Sequence, residues 1–177
     1  MLYDNYKCLF FVMNYKIRNR HRLKNKQIRE INNSISKDFE NVILDTNSVV
    51  EVGDVENTRF VFVDGQAVFM YFEDGLCFTL KGIELFNPKE KFVVVDMGAV
   101  KFVTNGADVM APGIIDADIN IKENDFVWIC DERNKKALAV GFAIISGEEM
   151  ISGGSGKAVR VIHHVGDDIW SFVAKSL

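Results

Sequence analysis

Two periodicities alternate along the chain. From Lys16 to Arg22 the order is Lys, Ile, Arg, Asn, Arg, His, Arg, and an extended strand of that pattern puts Lys16, Arg18, Arg20 and Arg22 on one face. Ile28, Ile31 and Ile35 then recur at helical spacing, with Phe39 one turn on, which predicts an amphipathic helix over about residues 24 to 39. SVVEVGD, TRFVFVDG, QAVFMYFEDG and LCFTLKG come next as short β-branched and aromatic runs separated by Asp-Gly and similar turns, the pattern of an antiparallel meander. Phe60 to Val63 is apolar on both faces, so its strand belongs in the middle of the sheet. Residues 1 to 12 fit poorly with the rest of the chain. Met13 opens a run that reads as a natural start, and the alternative is an N-terminal strand paired with the domain.

The segment Phe86 to Lys91 breaks the apolar pattern and holds Pro88, one of two prolines in the chain, so it reads as a linker. Beyond it come FVVVD, the stretch DMGAVKFVTNGADVMAPGI, DFVWICD, ALAVGFAII, a short polar helix around GEEMISGG, KAVRVIHHV and DIWSFVAK. Many short strands with tight turns favour a closed or partly closed barrel, with a helical insertion after its first strand. The expected class is α+β. An N-terminal α/β domain with an antiparallel sheet, residues 1 to 88, precedes a mixed β-barrel with short helices, residues 91 to 175.

Composition adds little to this. A 48% hydrophobic share in 177 residues supports packed domains, and a net charge of −4 gives no global sign of a polyanionic partner. The distribution is more telling, since Lys16 to Arg29 contains seven Lys or Arg and no acid. Nothing local neutralises that run, so it is either a solvated face or a contact for nucleic acid or the ribosome. The three cysteines are far apart and odd in number, which argues against zinc and for a reducing compartment. No apolar run approaches the roughly 20 residues of a membrane span, so a soluble, cytoplasmic protein with no membrane partner is expected.

Catalytic signatures are missing. There is no G-x-S-x-G, no H-E-x-x-H and no paired-cysteine motif. His163 and His164 are neighbours in an expected strand, point to opposite faces and cannot share a metal; one packed and one solvated histidine is the simpler reading. GGSGKAV lacks the first glycine and the final Ser or Thr of a phosphate loop, and it runs from helix to strand, so it reads as a turn. Lys157 beside it leaves room for a phosphate contact. No cofactor is expected.

The stretch from Asp96 to Ile114 has more to offer. Asp96 suits an N-cap, Val100 and Val103 face inward, Lys101 and Asn105 face outward, and Gly106 suits a left-handed helix stop. A second helical turn is expected over residues 107 to 110, ended by Pro112-Gly113. Two helix N-termini among small residues would offer free N–H donors to a sugar-phosphate backbone; tight helix–sheet packing is the competing use of the Gly-Ala pairs.

These motifs carry a resemblance. DMGAVKFVTNGADVMAPGI, AVGFAIISGEEM and GKAVRVIHHVGDDIW, in that order over about residues 91 to 174, look like the PUA domain of pseudouridine synthases and archaeosine transglycosylases. MNYKIRNRHRLKNKQIREI is similar to the start of small archaeal PUA proteins related to the eukaryotic malignant T-cell-amplified protein, its yeast kin and ligatin. The resemblance implies a non-catalytic RNA-binding protein of translation that docks structured RNA such as tRNA, rRNA or the small ribosomal subunit, with a SUI1-domain protein as a further partner. It implies RNA near Gly98, Ala99, Lys101, Asn105, Gly106, Ala107, Lys157 and Arg160. Lys16, Arg18, Arg20 and Arg22 would supply further phosphate contacts, and Asp108 would weaken the local field. The rival reading is a protein-interaction adaptor for a SUI1-type factor, touching RNA only weakly.

Overall fold

The computed structural model describes residues 15–73 and 75–175. The expectation about residues 1 to 12 lies outside them. Strand β1 (Ile17–Arg22) leads into helix α1 (Asn25–Ile35), and then into β2 (Val50–Val55), β3 (Thr58–Val63), β4 (Gln66–Phe72) and β5 (Gly75–Phe78). The five strands form one antiparallel sheet in chain order, with β3 in the middle as its two apolar faces require. Helix α1 buries Ile28, Ile31 and Ile35, the predicted stripe. It stops four residues before Phe39, which is buried in the turn beyond the helix.

LCFTLKG is divided between strand and helix. Thr79 receives the Gly82 N–H on its hydroxyl and starts helix α2 (Leu80–Phe86), which Asn87 closes in the left-handed region at φ 45°. Seven residues are too few for a helical period to show against a strand pattern. The linker is clamped rather than loose. Lys91 is buried, its amide donates to Asp118 at 2.7 Å, and its ammonium pairs with Asp125.

The second sheet has the order β7-β11-β10-β9-β6-β8, built from β6 (Phe92–Val95), β7 (Val109–Met110), β8 (Ile114–Ala117), β9 (Phe126–Asp131), β10 (Ala137–Ala143) and β11 (Lys157–His164). β6 and β9 run parallel and the other pairs antiparallel, so the sheet is mixed. Its two edge strands, β7 and β8, are separated only by the 3-10 turn Ala111–Gly113. Edges joined so closely force the sheet to curl into a near-barrel. Helices α3 (Met97–Val103), α4 (Gly147–Ile151) and α5 (Asp168–Lys175) complete the chain. No described helix is long and apolar enough to cross a membrane.

Alternation along β6 and β9 explains how the two sheets meet. Val93, Val95, Val127 and Ile129 fill the barrel, whereas Val94, Trp128 and Cys130 join the core of the first sheet. Outward Phe126 and Phe142 reach Phe78 at 6.2 Å and Phe72 at 5.9 Å between ring centres. Helix α5 crosses back and sets Phe172 5.0 Å from Phe60 and 6.3 Å from Phe62. The two sheets therefore share a core, and their relative placement is fixed by packing.

Candidate nucleic-acid interface

Helix α3 begins where Asp96 predicts it: the carboxylate accepts the Ala99 N–H at 2.7 Å. Glu132 accepts the Met97 N–H at 3.0 Å. With these two donors occupied and the helix only seven residues long, its N-terminus is no anion cradle, contrary to the expectation of free donors. Gly98 is exposed and Ala99 half-buried. A Cβ on Gly113 would lie 3.1 Å from the Ala99 methyl, so packing of α3 on the 3-10 turn is what these small residues serve.

At the other end, Gly106 N–H bonds to Val103 and Ala107 N–H to Phe102, with Gly106 at φ 82°. This is a Schellman stop, as Gly106 predicts. The second helical turn expected over residues 107 to 110 is instead strand β7, which pairs with β11 through Val109 and Met110. Lys101, Asn105, Gly106 and Ala107 are all exposed, and Phe102 stands 65% exposed beside Lys101.

Lys157 pairs with Asp108 at 2.8 Å, and Asp108 also accepts the Val161 N–H. The Lys157 hydrogen bond is the main reason the Asp108 carboxyl is held below its ordinary range. Arg160 lies at the seam between the sheets, 5.4 Å from the Phe142 ring and 5.9 Å from Phe72, with Glu73 at 3.5 Å.

The basic strand departs from simple alternation. Between Arg18 and His21 the register slips by one residue against β2, and Asn19 takes φ 54°. This bulge puts Arg18 beside Asp54 and His21, while Arg20 turns to Glu51 at 2.7 Å and stacks 4.7 Å from Phe62. The four bases do not share one face. The run is not free of acids either. Arg18 donates to the Glu56 backbone carbonyl and also acts on Asp54, whose carboxyl is lowered to about 2, chiefly by hydrogen bonds from Arg59 and Asn19. Among the described residues, no carboxylate lies within ion-pair distance of Lys16, Arg22, Lys24, Lys26, Arg29 or Lys101.

The α3 loop and the start of β1 flank the same turn. A Cβ on Gly106 would meet His164 Nε2 at 2.7 Å, and four residues after His164 the turn enters α5. On the other side Tyr15 donates its hydroxyl to the Asp168 carbonyl at 3.2 Å and packs on Phe172 at 5.4 Å. His163 is fully buried and shares a hydrogen bond with Asp167 at 2.8 Å; His164 is half-buried against the α3 loop rather than solvated. Among the described residues no group of three His, Cys, Asp or Glu could hold a metal ion. Burial pushes the Cys77 thiol up to about 12 and the Cys130 thiol to about 11, which leaves both poor nucleophiles near neutral pH.

The chain matches the PUA domain over residues 91–165 and a domain of unknown function, DUF1947, over residues 19–97. It is 42% identical to an uncharacterized protein of Methanocaldococcus jannaschii over 159 residues, 89% of this chain and 98% of that one. The chain belongs to this family of PUA-domain proteins. Translation machinery-associated protein 20 of Saccharomyces cerevisiae is 35% identical over 62% of this chain and 64% of its own. A hypothetical protein of Pyrococcus horikoshii superposes with a TM-score of 0.78 at 36% identity, covering 87% of this chain and 99% of that one. In this PUA-domain protein, the α3 stretch picked out by the sequence is the helical insertion after the barrel's first strand.

One group of bases stands out only in the folded chain. The β9–β10 turn, Glu132-Arg-Asn-Lys-Lys136, presents Arg133, Lys135 and Lys136 to solvent. Three bases with one acid in five residues is a weak signal in a chain that is 26% charged.

Proposed function

We propose that this PUA-domain protein is a non-catalytic RNA-binding protein of the translation apparatus, docking structured RNA of tRNA or rRNA type. The observation that carries the reading is the exposed surface of Lys101, Asn105, Gly106 and Ala107, packed against the β11–α5 turn that Tyr15, at the start of the basic β1 segment, also reaches. A low glycine-alanine surface lets an RNA backbone approach, and flanking bases hold its phosphates. Lys16, Arg22 and the α1 bases Lys26 and Arg29 have no carboxylate partner among the described residues. Arg18, Arg20, Lys157 and Arg160 already have protein partners and would contribute less. The relationship to translation machinery-associated protein 20 supports a place in translation. The small ribosomal subunit as the docking site, and a SUI1-domain protein beside it, are inferred from the same kinship. The buried Cys77 and Cys130 thiols, and the bond between buried His163 and half-buried Asp167, support a non-catalytic role. In this reading residues 1–88 and 91–175 are two domains whose joint face binds the RNA.

Crosslinking in the native cell, with sequencing of bound RNA and mapping of the crosslinked peptides, tests this. Enrichment of tRNA or small-subunit rRNA with crosslinks on the 97–107 peptide is expected. Recovery of no RNA above background would overturn it.

A further inference from the structure

The basic β9–β10 turn borders a cleft of about 480 Å³ between α2 and α5. Its walls include Leu80, Ile83, Trp128, Val173 and Trp170, and Lys135 and Lys136 stand at its rim. Trp128 is buried, and its indole N–H is already given to the Glu90 carbonyl. Trp170 is 40% exposed on the amphipathic helix α5, so one face of its ring is open to the groove it lines.

The turn is held in shape. Asp131 accepts the N–H groups of Arg133, Asn134 and Lys136 at 2.9, 2.6 and 3.0 Å. Its carboxylate is committed to the backbone and leaves the three bases of the turn without a carboxylate partner among the described residues. Glu132 is committed to the α3 N-terminus. The remaining rim charges, Lys81 and Glu84, pair with each other at 3.2 Å. The cleft thus combines an exposed indole with a net positive rim, which suits a flat aromatic group attached to an anion.

We propose that this cleft binds an unpaired nucleotide, with its base on Trp170 and its phosphate at Lys135 and Lys136. Stacking on an aromatic side chain is indifferent to base identity, and lysines at the rim track the backbone. The nucleotide would be free or part of an RNA strand. The RNA source rests on the proposed docking of RNA at the α3 face, and Glu132 links the basic turn to the α3 N-terminus.

Fluorescence and anisotropy test it with the full chain. The protein has two tryptophans, so Trp128→Phe leaves Trp170 as sole reporter. A single-stranded RNA hexamer is expected to quench it, and AMP to quench it at higher concentration if free nucleotides are also taken. Trp170→Ala is expected to lower hexamer affinity about ten-fold or more, with Trp170→Tyr retaining most of it. Lys135→Glu with Lys136→Glu, both on the surface and harmless to the core, is expected to flatten the salt dependence by roughly 0.7 per phosphate lost. Equal hexamer affinity in wild type, Trp170→Ala and the lysine double variant would overturn the proposal. So would absence of quenching by both hexamer and AMP. A duplex with a single-stranded overhang separates this proposal from the wider one. If Lys101→Glu abolishes its binding while Trp170→Ala leaves overhang and blunt duplex equally bound, the RNA reading stands and the cleft proposal falls.

Discussion

Gly106 occupies a tight point of the candidate interface. Its backbone is left-handed at φ 82°, and an added methyl would press on His164. Gly106→Ala should cost about 1–2 kcal/mol in urea unfolding and shift the α3 loop. Asp131 tests the neighbouring turn. The hydrogen bond from the Asn134 amide is the foremost reason its carboxyl lies below the ordinary range, with burial opposing and the amides of Lys136 and Arg133 adding to it. A lowered folded pKa means stability that is fully present above the usual carboxylate range and lost as pH falls through the folded value. Thermal melts from pH 7 to 3 should show this loss setting in below about pH 4 in wild type and diminished in Asp131→Asn. At pH 7, Asp131→Ala should cost about 1–3 kcal/mol, because three turn amides lose their acceptor.

Among single residues, local signals were the legible ones. Asp96 and Gly106 act on groups within a few positions of themselves, and the structure uses both as expected. The Lys157–Asp108 pairing was not legible, because the two residues lie 49 positions apart. The bulge at Asn19 was equally hidden: nothing in alternating Lys, Ile, Arg, Asn, Arg says that β2 will pair out of step.

Among elements, α5 has the largest consequence. Its Phe172 is buried against Phe60 and Phe62 of the opposite sheet, so the helix acts as a strap between the two layers. Phe172→Ala should destabilise the protein by about 3–5 kcal/mol in denaturant titration. It should do so with a single transition in both far-UV and near-UV signals, because the two sheets share one core. A separate early transition of the barrel would contradict the shared core. Long elements with a clear period, α1 and β3, were readable from the sequence. Short ones were not: α2 and β7 offer seven and two residues, too few for a period, and their identity is decided by the partner strand.

For the whole molecule, net charge is uninformative and placement is decisive. A chain of charge −4 still carries seven Lys or Arg and no acid between Lys16 and Arg29, and Tyr15, just before that run, reaches the β11–α5 turn that the α3 loop packs against. The fold class and the barrel were visible because turn spacing and strand composition are encoded locally. The face the two sheets build together was not, because it depends on Phe126, Phe142 and Phe172 docking across the seam. Affinity for structured RNA as a function of salt tests the central claim most directly. A tRNA transcript should bind with log affinity falling linearly against log salt, at a slope of roughly −0.9 for each phosphate neutralised. Lys101→Glu with Asn105→Asp should weaken binding at least about ten-fold and reduce that slope by about 1. Affinity unchanged in the double variant, or no salt dependence in the wild type, would contradict the account.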